Sequence, residues 1–180
     1  MKGKDSEIPL KAFDQTDLIA KVNLLNIPYL QLNPTGVCNG LVIDYSRYHL
    51  NHPDGDYIAK LKRKFPVETT VSSENFFRRI ELYQRKLQNL GPESFSKDMG
   101  CSMFKIMGLL DECSFVQLSF GRFPGEGHTT VIRKIHDQDG NTVGYKLFDP
   151  LKGEFDCTTK DNLELNKEDL KRLIQKLSDA

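Results

Sequence analysis

Three residues spread along the chain, Cys38, His128 and Asp149, have the types and settings that acyl transfer through a thiolate would need. Cys38 follows the punctuation Asn33-Pro34-Thr35-Gly36 and precedes Leu41, Val42, Tyr45 and Tyr48 at helical spacing, which predicts that it sits in the first turn of a helix. Unpaired backbone N–H groups and the positive end of the helix dipole stabilise a thiolate there. Gly36 and Gly40 flank it, and small side chains at those positions would let a substrate backbone approach the sulfur. A helix-start cysteine is also commonly a buried small hydrophobe, so the assignment depends on its partners.

A histidine beside the thiolate would form an ion pair with it and later protonate the leaving group. His49 falls near the end of the Cys38 helix, where attraction between its charge and the terminal carbonyls explains it. His52, in the turn His52-Pro53-Asp54-Gly55, and His136, on the approach to a hairpin, are expected to face solvent. His128 differs, because it follows Gly121-Arg122-Phe123-Pro124-Gly125-Glu126-Gly127 and opens a strand, so that a rigid element would hold it beside a flexible loop. Asp149 ends the apolar run 143–148 just before Pro150. If His128 starts one strand and Asp149 ends its antiparallel neighbour, the hairpin returns both to one end of the sheet, where a carboxylate can orient an imidazole. The structural alternatives are a packed strand-start histidine and an ordinary pre-proline turn aspartate.

The oxyanion formed on attack needs two donors. The Cys38 N–H is one, and the amide of Gln31 or Asn33 is available as the other, with Asn33 preferred because the Pro34–Gly36 turn can fold it over the sulfur. Asn33 could equally close an Asx turn. The glycines at 121, 125 and 127 suggest a loop that gates access to His128, with Arg122, Phe123 and Glu126 contacting substrate.

The elements that must position these groups read as α+β. Residues 1–15 are polar and expected to be loose, and Thr16 is expected to cap a short helix reaching Leu25. Pro28 to Leu32 reads as extended, followed by the Cys38 helix, helices over 54–64 and 72–90, and a further apolar helix over 98–110. Gly91-Pro92 stops the longest of them. The period then changes. Residues 114–120, 129–135, 142–148 and 154–158 read as strands, with a turn at Asp139-Gly140-Asn141 that makes the sheet locally antiparallel. Asn166 is expected to cap a closing helix that carries Leu170, Leu173, Ile174 and Leu177 on one face.

At 180 residues the chain can bury one core without metals or disulfides. Lys and Arg together equal Asp and Glu at 25 each, so no global field favours nucleic acid or an anionic membrane. From Lys60 to Leu90, however, eight basic residues face three acidic ones, which reads as a solvated helix face interleaved with apolar positions. No secretory signal or bilayer-length apolar run appears. Cys38, Cys101, Cys113 and Cys157 show no zinc-ligand spacing and are expected to be reduced, so neither metal nor cofactor is expected.

Gly36-Val37-Cys38-Asn39-Gly40-Leu41, Gly127-His128 opening a strand, and Phe148-Asp149-Pro150 with Gly153-Glu154-Phe155 after it resemble the YopT/AvrPphB-like cysteine proteases, papain-fold effectors that bacteria deliver into host cells. The resemblance covers about residues 30–158. It implies a papain-like catalytic domain over 31–158; the residues outside it read on their own as a partly flexible N-terminal extension over 1–30 and a closing helix over 159–180 packed on the domain. It also implies a Cys38–His128–Asp149 triad, an oxyanion amide at Asn33, a host protein as substrate, and a monomeric enzyme that reaches the host cytoplasm by a specialised secretion system. Leu151 stands where the family often has asparagine, and Tyr45 or Tyr48 where it commonly has tryptophan. A glutamine deamidase or transglutaminase would use the same thioester chemistry, and a binding module would leave Cys38 inert.

Overall fold

The computed structural model describes residues 9–25, 30, 32, 36–64, 71–89, 102–123 and 126–179. Within them the chain is α+β, with strands β1 Lys11–Ala12, β2 Phe115–Phe123, β3 Glu126–His136, β4 Thr142–Asp149 and β5 Gly153–Cys157. The helices are α1 Gln15–Leu24, α2 Cys38–Asn51, α3 Tyr57–Arg63, α4 Val71–Asn89, α5 Met103–Glu112 and α6 Leu163–Ser178. Every strand pairing is antiparallel, in the order β1-β5-β4-β3-β2.

Strand alternation sends side chains to opposite faces of the sheet, and both faces are covered. Val131 and Phe148 join the cluster formed with α1 to α4, whereas their neighbours Ile132 and Leu147 join the cluster formed with α5 and α6. The helices therefore flank the sheet on both sides rather than stacking on one.

Helix α2, which begins at Cys38, is fixed to the sheet by stacking and by a buried polar network. Tyr45 lies parallel to Phe148 at 4.7 Å between ring centroids, donates its hydroxyl proton to Glu154 at 2.6 Å, and accepts from Arg133 Nε at 2.9 Å. Arg133 also donates to the Pro53 carbonyl at 2.9 Å, so one guanidinium on β3 ties both α2 and the turn after it to the sheet. All three side chains are buried, and each has a partner.

Several local expectations change. Asp14, not Thr16, caps α1 by accepting from the Thr16 N–H at 2.8 Å. Asn162 caps α6 in place of Asn166, because Asn166 is fully buried inside that helix, where its amide donates to the carbonyls of Val143 and Lys160. The segment read as a loose N-terminus contributes β1 and Phe13 to the folded body, and Leu18, Ile19 and Val22 of α1 belong to the core. Residues 1–8 lie outside the described part, as do Pro28, Gly91-Pro92 and Cys101.

Gly40 serves packing rather than substrate access. A Cβ there would lie 2.3 Å from the Ile80 carbonyl oxygen of α4, and the Gly40 N–H donates to Gln84 at 3.1 Å. Gly40→Ala should therefore push α4 away from α2 and lower stability by roughly 1–3 kcal/mol, the range for overpacking a core. Chemical denaturation with tryptophan-free fluorescence or circular dichroism would measure it, and an unchanged midpoint would show that α4 yields freely.

Candidate active site

Cys38 is the first residue of α2, preceded by Val37 at the N-cap position and by Gly36 in a left-handed conformation at φ 135°. That conformation, which favours glycine, turns the chain into the helix and leaves the Cys38 N–H without an intrahelical acceptor. The thiol is buried and faces β3, with Sγ 3.8 Å from the Gly127 carbonyl oxygen.

His128 and Asp149 meet at the same end of the β3–β4 pair. Val131 pairs with Phe148, so the two strands continue side by side toward this end, and His128 Nε2 lies 2.8 Å from Asp149 Oδ1. Asp149 is 1% exposed, and its Oδ1 also accepts the Leu151 N–H at 2.8 Å, which locks the carboxylate in the turn that Pro150 creates. Since Nε2 is committed to Asp149, Nδ1 is the nitrogen left for Cys38.

Electrostatics follow this order of contacts. Burial pushes the Cys38 thiol up, but hydrogen bonds from His128 and Thr129 and the His128 charge outweigh it and hold the thiol below its ordinary value. Burial alone would lower the His128 imidazole, yet hydrogen bonds to Asp149 and Cys38, with their charges, raise it to about 9. The two shifts together favour the thiolate–imidazolium pair. Burial with the charges of Asp169 and Asp156 instead pushes Cys157 up to about 12, which makes it inert near neutrality.

The other histidines separate from this site. His52 and His136 are exposed. His49 is buried, and burial with the Arg133 charge lowers it to about 4, so it is a neutral residue rather than the helix-end cation expected from its position. Its Nδ1 lies 3.1 Å from the His52 carbonyl oxygen. Glu154 Oε2 stands 3.9 Å from the other ring nitrogen, but desolvation and Arg133 outweigh that attraction.

In the glycine-rich segment read as a seven-residue gate, the described residues 121–123 and 126–127 belong to strands β2 and β3. Phe120 lies opposite His128, Gly121 opposite Gly127 and Phe123 opposite Glu126, with a register shift between Gly121 and Phe123. His128 is thus the third residue of β3, not its first. Asn33 and Gln31 lie outside the described residues, as do the side chains of Arg122, Phe123 and Glu126.

Gln15 was missed by the sequence reading. It is buried, its Oε1 accepts the Val37 N–H at 3.0 Å, and its Nε2 is turned toward Gly36, 3.3 Å from where a Cβ would stand. A side-chain amide therefore lies beside the turn that leads into Cys38. A single glutamine 23 positions upstream carries no spacing signal, so only the placement of α1 against α2 reveals it. Among the described residues no group of three or more side chains could hold a metal ion, and no helix is long and apolar enough to cross a membrane. Comparison of the chain with protein families, with curated proteins and with solved structures finds no match in any of the three.

Proposed function

We propose that this protein is a papain-like cysteine hydrolase that cuts a peptide bond through a thioester on Cys38, in keeping with its sequence resemblance to the YopT/AvrPphB-like effector proteases. The observation that carries the reading is the meeting of three residues from separate elements: His128 Nε2 lies 2.8 Å from Oδ1 of buried Asp149, and the carbonyl of Gly127, the residue before His128, lies 3.8 Å from Cys38 Sγ. In the reaction the Cys38 thiolate attacks the substrate carbonyl carbon, and the electron pair moves onto the oxygen. As that pair returns, the C–N bond breaks, and the imidazolium gives its proton to the departing amine. Water then attacks the thioester with His128 accepting its proton, which releases the acid and restores the thiol pair. Asp149 keeps the ring oriented and favours its charged form.

The Cys38 N–H and the Gln15 amide are the described donors that can meet the oxyanion, with Asn33 a further one by resemblance. Gln15→Ala should lower kcat by roughly 10²-fold while leaving Cys38 alkylation within a few-fold of wild type. Parallel loss of alkylation would mean that Gln15 only holds the turn at Val37.

Substrate is expected to be a protein of a host cell into which this enzyme is delivered. Lysate incubated with wild type or Cys38→Ala, then analysed by mass spectrometry for new chain termini, tests the reading. Wild-type-dependent termini support proteolysis. Glutamine deamidation or amine adducts without cuts would assign the same triad to deamidase or transglutaminase chemistry, and identical peptide maps would leave Cys38 without a hydrolytic role.

A further inference from the structure

A cavity of about 750 Å³ opens between α2, α3 and α4, along the later turns of α2 and therefore away from Cys38 at that helix's first position. Among the described residues its lining includes Arg47, Lys60, Arg63, Lys64 and Arg79, against the single carboxylate of Asp44. Four of the eight basic residues in the run that reads as a solvated face, Lys60, Arg63, Lys64 and Arg79, thus line a concavity, joined by Arg47 of α2. Like charges gathered in one cleft repel, and low-dielectric walls strengthen the field within it.

Three of these cations, Arg47, Lys60 and Arg79, are held in place by the protein. Asp44 is 3% exposed and accepts from Lys60 Nζ at 3.0 Å, Arg79 Nε at 3.3 Å and the Tyr57 hydroxyl at 3.1 Å. Lys60 Nζ lies 5.0 Å from the Tyr48 ring centroid and 5.2 Å from that of Phe76, while Arg47 lies 5.5 Å from that of Tyr83. Arg79 commits only Nε to Asp44, which leaves its terminal guanidinium nitrogens for another acceptor. Aromatic support and a shared carboxylate fix the heads of Arg47, Lys60 and Arg79 before any ligand arrives, so these three have less ordering entropy to lose on binding.

We propose that this cavity binds a small polyanion bearing two or more phosphate groups, seated on Arg47, Lys60, Arg63 and Arg79. The positive excess sets the sign of the ligand. Guanidinium forks match phosphate oxygens in pairs, and the volume suits a compact molecule rather than a flat surface. The proposal stands independently of the reading of Cys38.

Tripolyphosphate and inositol trisphosphate are the probes, titrated by calorimetry against the full chain at matched ionic strength, with sulfate as the monomeric comparison. Both should bind saturably, at least 10-fold tighter than sulfate. The variant Arg47→Gln/Arg63→Gln removes exposed cations without touching the buried Asp44, and should weaken binding at least 10-fold. Lys167→Gln/Lys171→Gln on α6 should change nothing. Vesicles of phosphatidylcholine with and without phosphatidylinositol bisphosphate separate two sources of the same chemistry: recruitment to the phosphoinositide vesicle identifies a lipid headgroup, and soluble binding without recruitment identifies a free metabolite. Absence of saturable binding by either soluble probe, or equal binding by wild type and Arg47→Gln/Arg63→Gln, would overturn the proposal.

Discussion

His128→Ala should slow alkylation of Cys38 by iodoacetamide at pH 6 by on the order of 100-fold and should lower substrate turnover by about 10³-fold or more. In the wild-type protein the imidazolium supplies a hydrogen bond and a charge that together overcome the cost of burying a thiolate. Without it, only the Thr129 hydrogen bonds oppose the burial of Cys38, and the thiol rises. The thiolate population at pH 6 then collapses, partly offset by the greater nucleophilicity of a more basic sulfur. Cys38→Ala should be equally inactive in turnover, and the double variant no worse, because the two groups act as one unit. Asp149→Ala should be milder, since it removes orientation and charge stabilisation but leaves the imidazole in place.

The pH profile carries a second signature of the same pair. Alkylation should persist on the acid side of an ordinary thiol and fall as Cys38 regains its proton, while turnover should fall above about pH 9 as His128 loses the proton that the leaving amine needs. Preferential labelling of exposed Cys113 at pH 6, or a His128→Ala protein alkylated at the wild-type rate, would end the ion-pair account.

Arg133→Met should cost roughly 3–5 kcal/mol of stability, the range for breaking a buried charge pair from one side. It would leave Glu154, which is 3% exposed, with the Tyr45 hydroxyl at 2.6 Å and Lys146 at 3.7 Å, and Tyr45 would lose the donor that balances its own proton donation. The adjacent His49 supplies an internal control. Its value in the folded protein is about 4 against the ordinary 6.5, so the unfolded chain binds the extra proton and wild-type stability should rise with pH across that interval, by on the order of 3 kcal/mol. Removing the Arg133 charge takes away one of the causes that depress His49. In Arg133→Met the imidazole can then protonate beside Glu154, so the destabilisation should be smaller at pH 5 than at pH 8. Denaturant titrations at both pH values decide it. An equal loss at both would place His49 outside the network, and replacing Glu154 with Leu in the same chain should recover part of the stability.

What the sequence determined was local. The start of α2 at Cys38 follows from Gly36, whose positive φ ends the preceding segment, and from apolar side chains repeating at helical spacing after it. The antiparallel strand run was legible because alternation, β-branched residues and an Asp-Gly turn all point the same way, and the hairpin argument that set His128 near Asp149 used only those signals. Caps were less legible: Asp14 and Thr16, like Asn162 and Asn166, are chemically similar candidates, and burial alone selects between them. The tertiary structure decided the rest. Gln15 reaches the nucleophile turn because β1 pairs with β5 and carries the start of α1 to that end of the sheet. Gly40 faces α4, His49 becomes neutral beside Arg133, and Arg47 of α2, Lys60 and Arg63 of α3 and Arg79 of α4 converge on one cavity. Each of these depends on desolvation and on contacts between residues far apart in the chain, and a spacing rule contains neither.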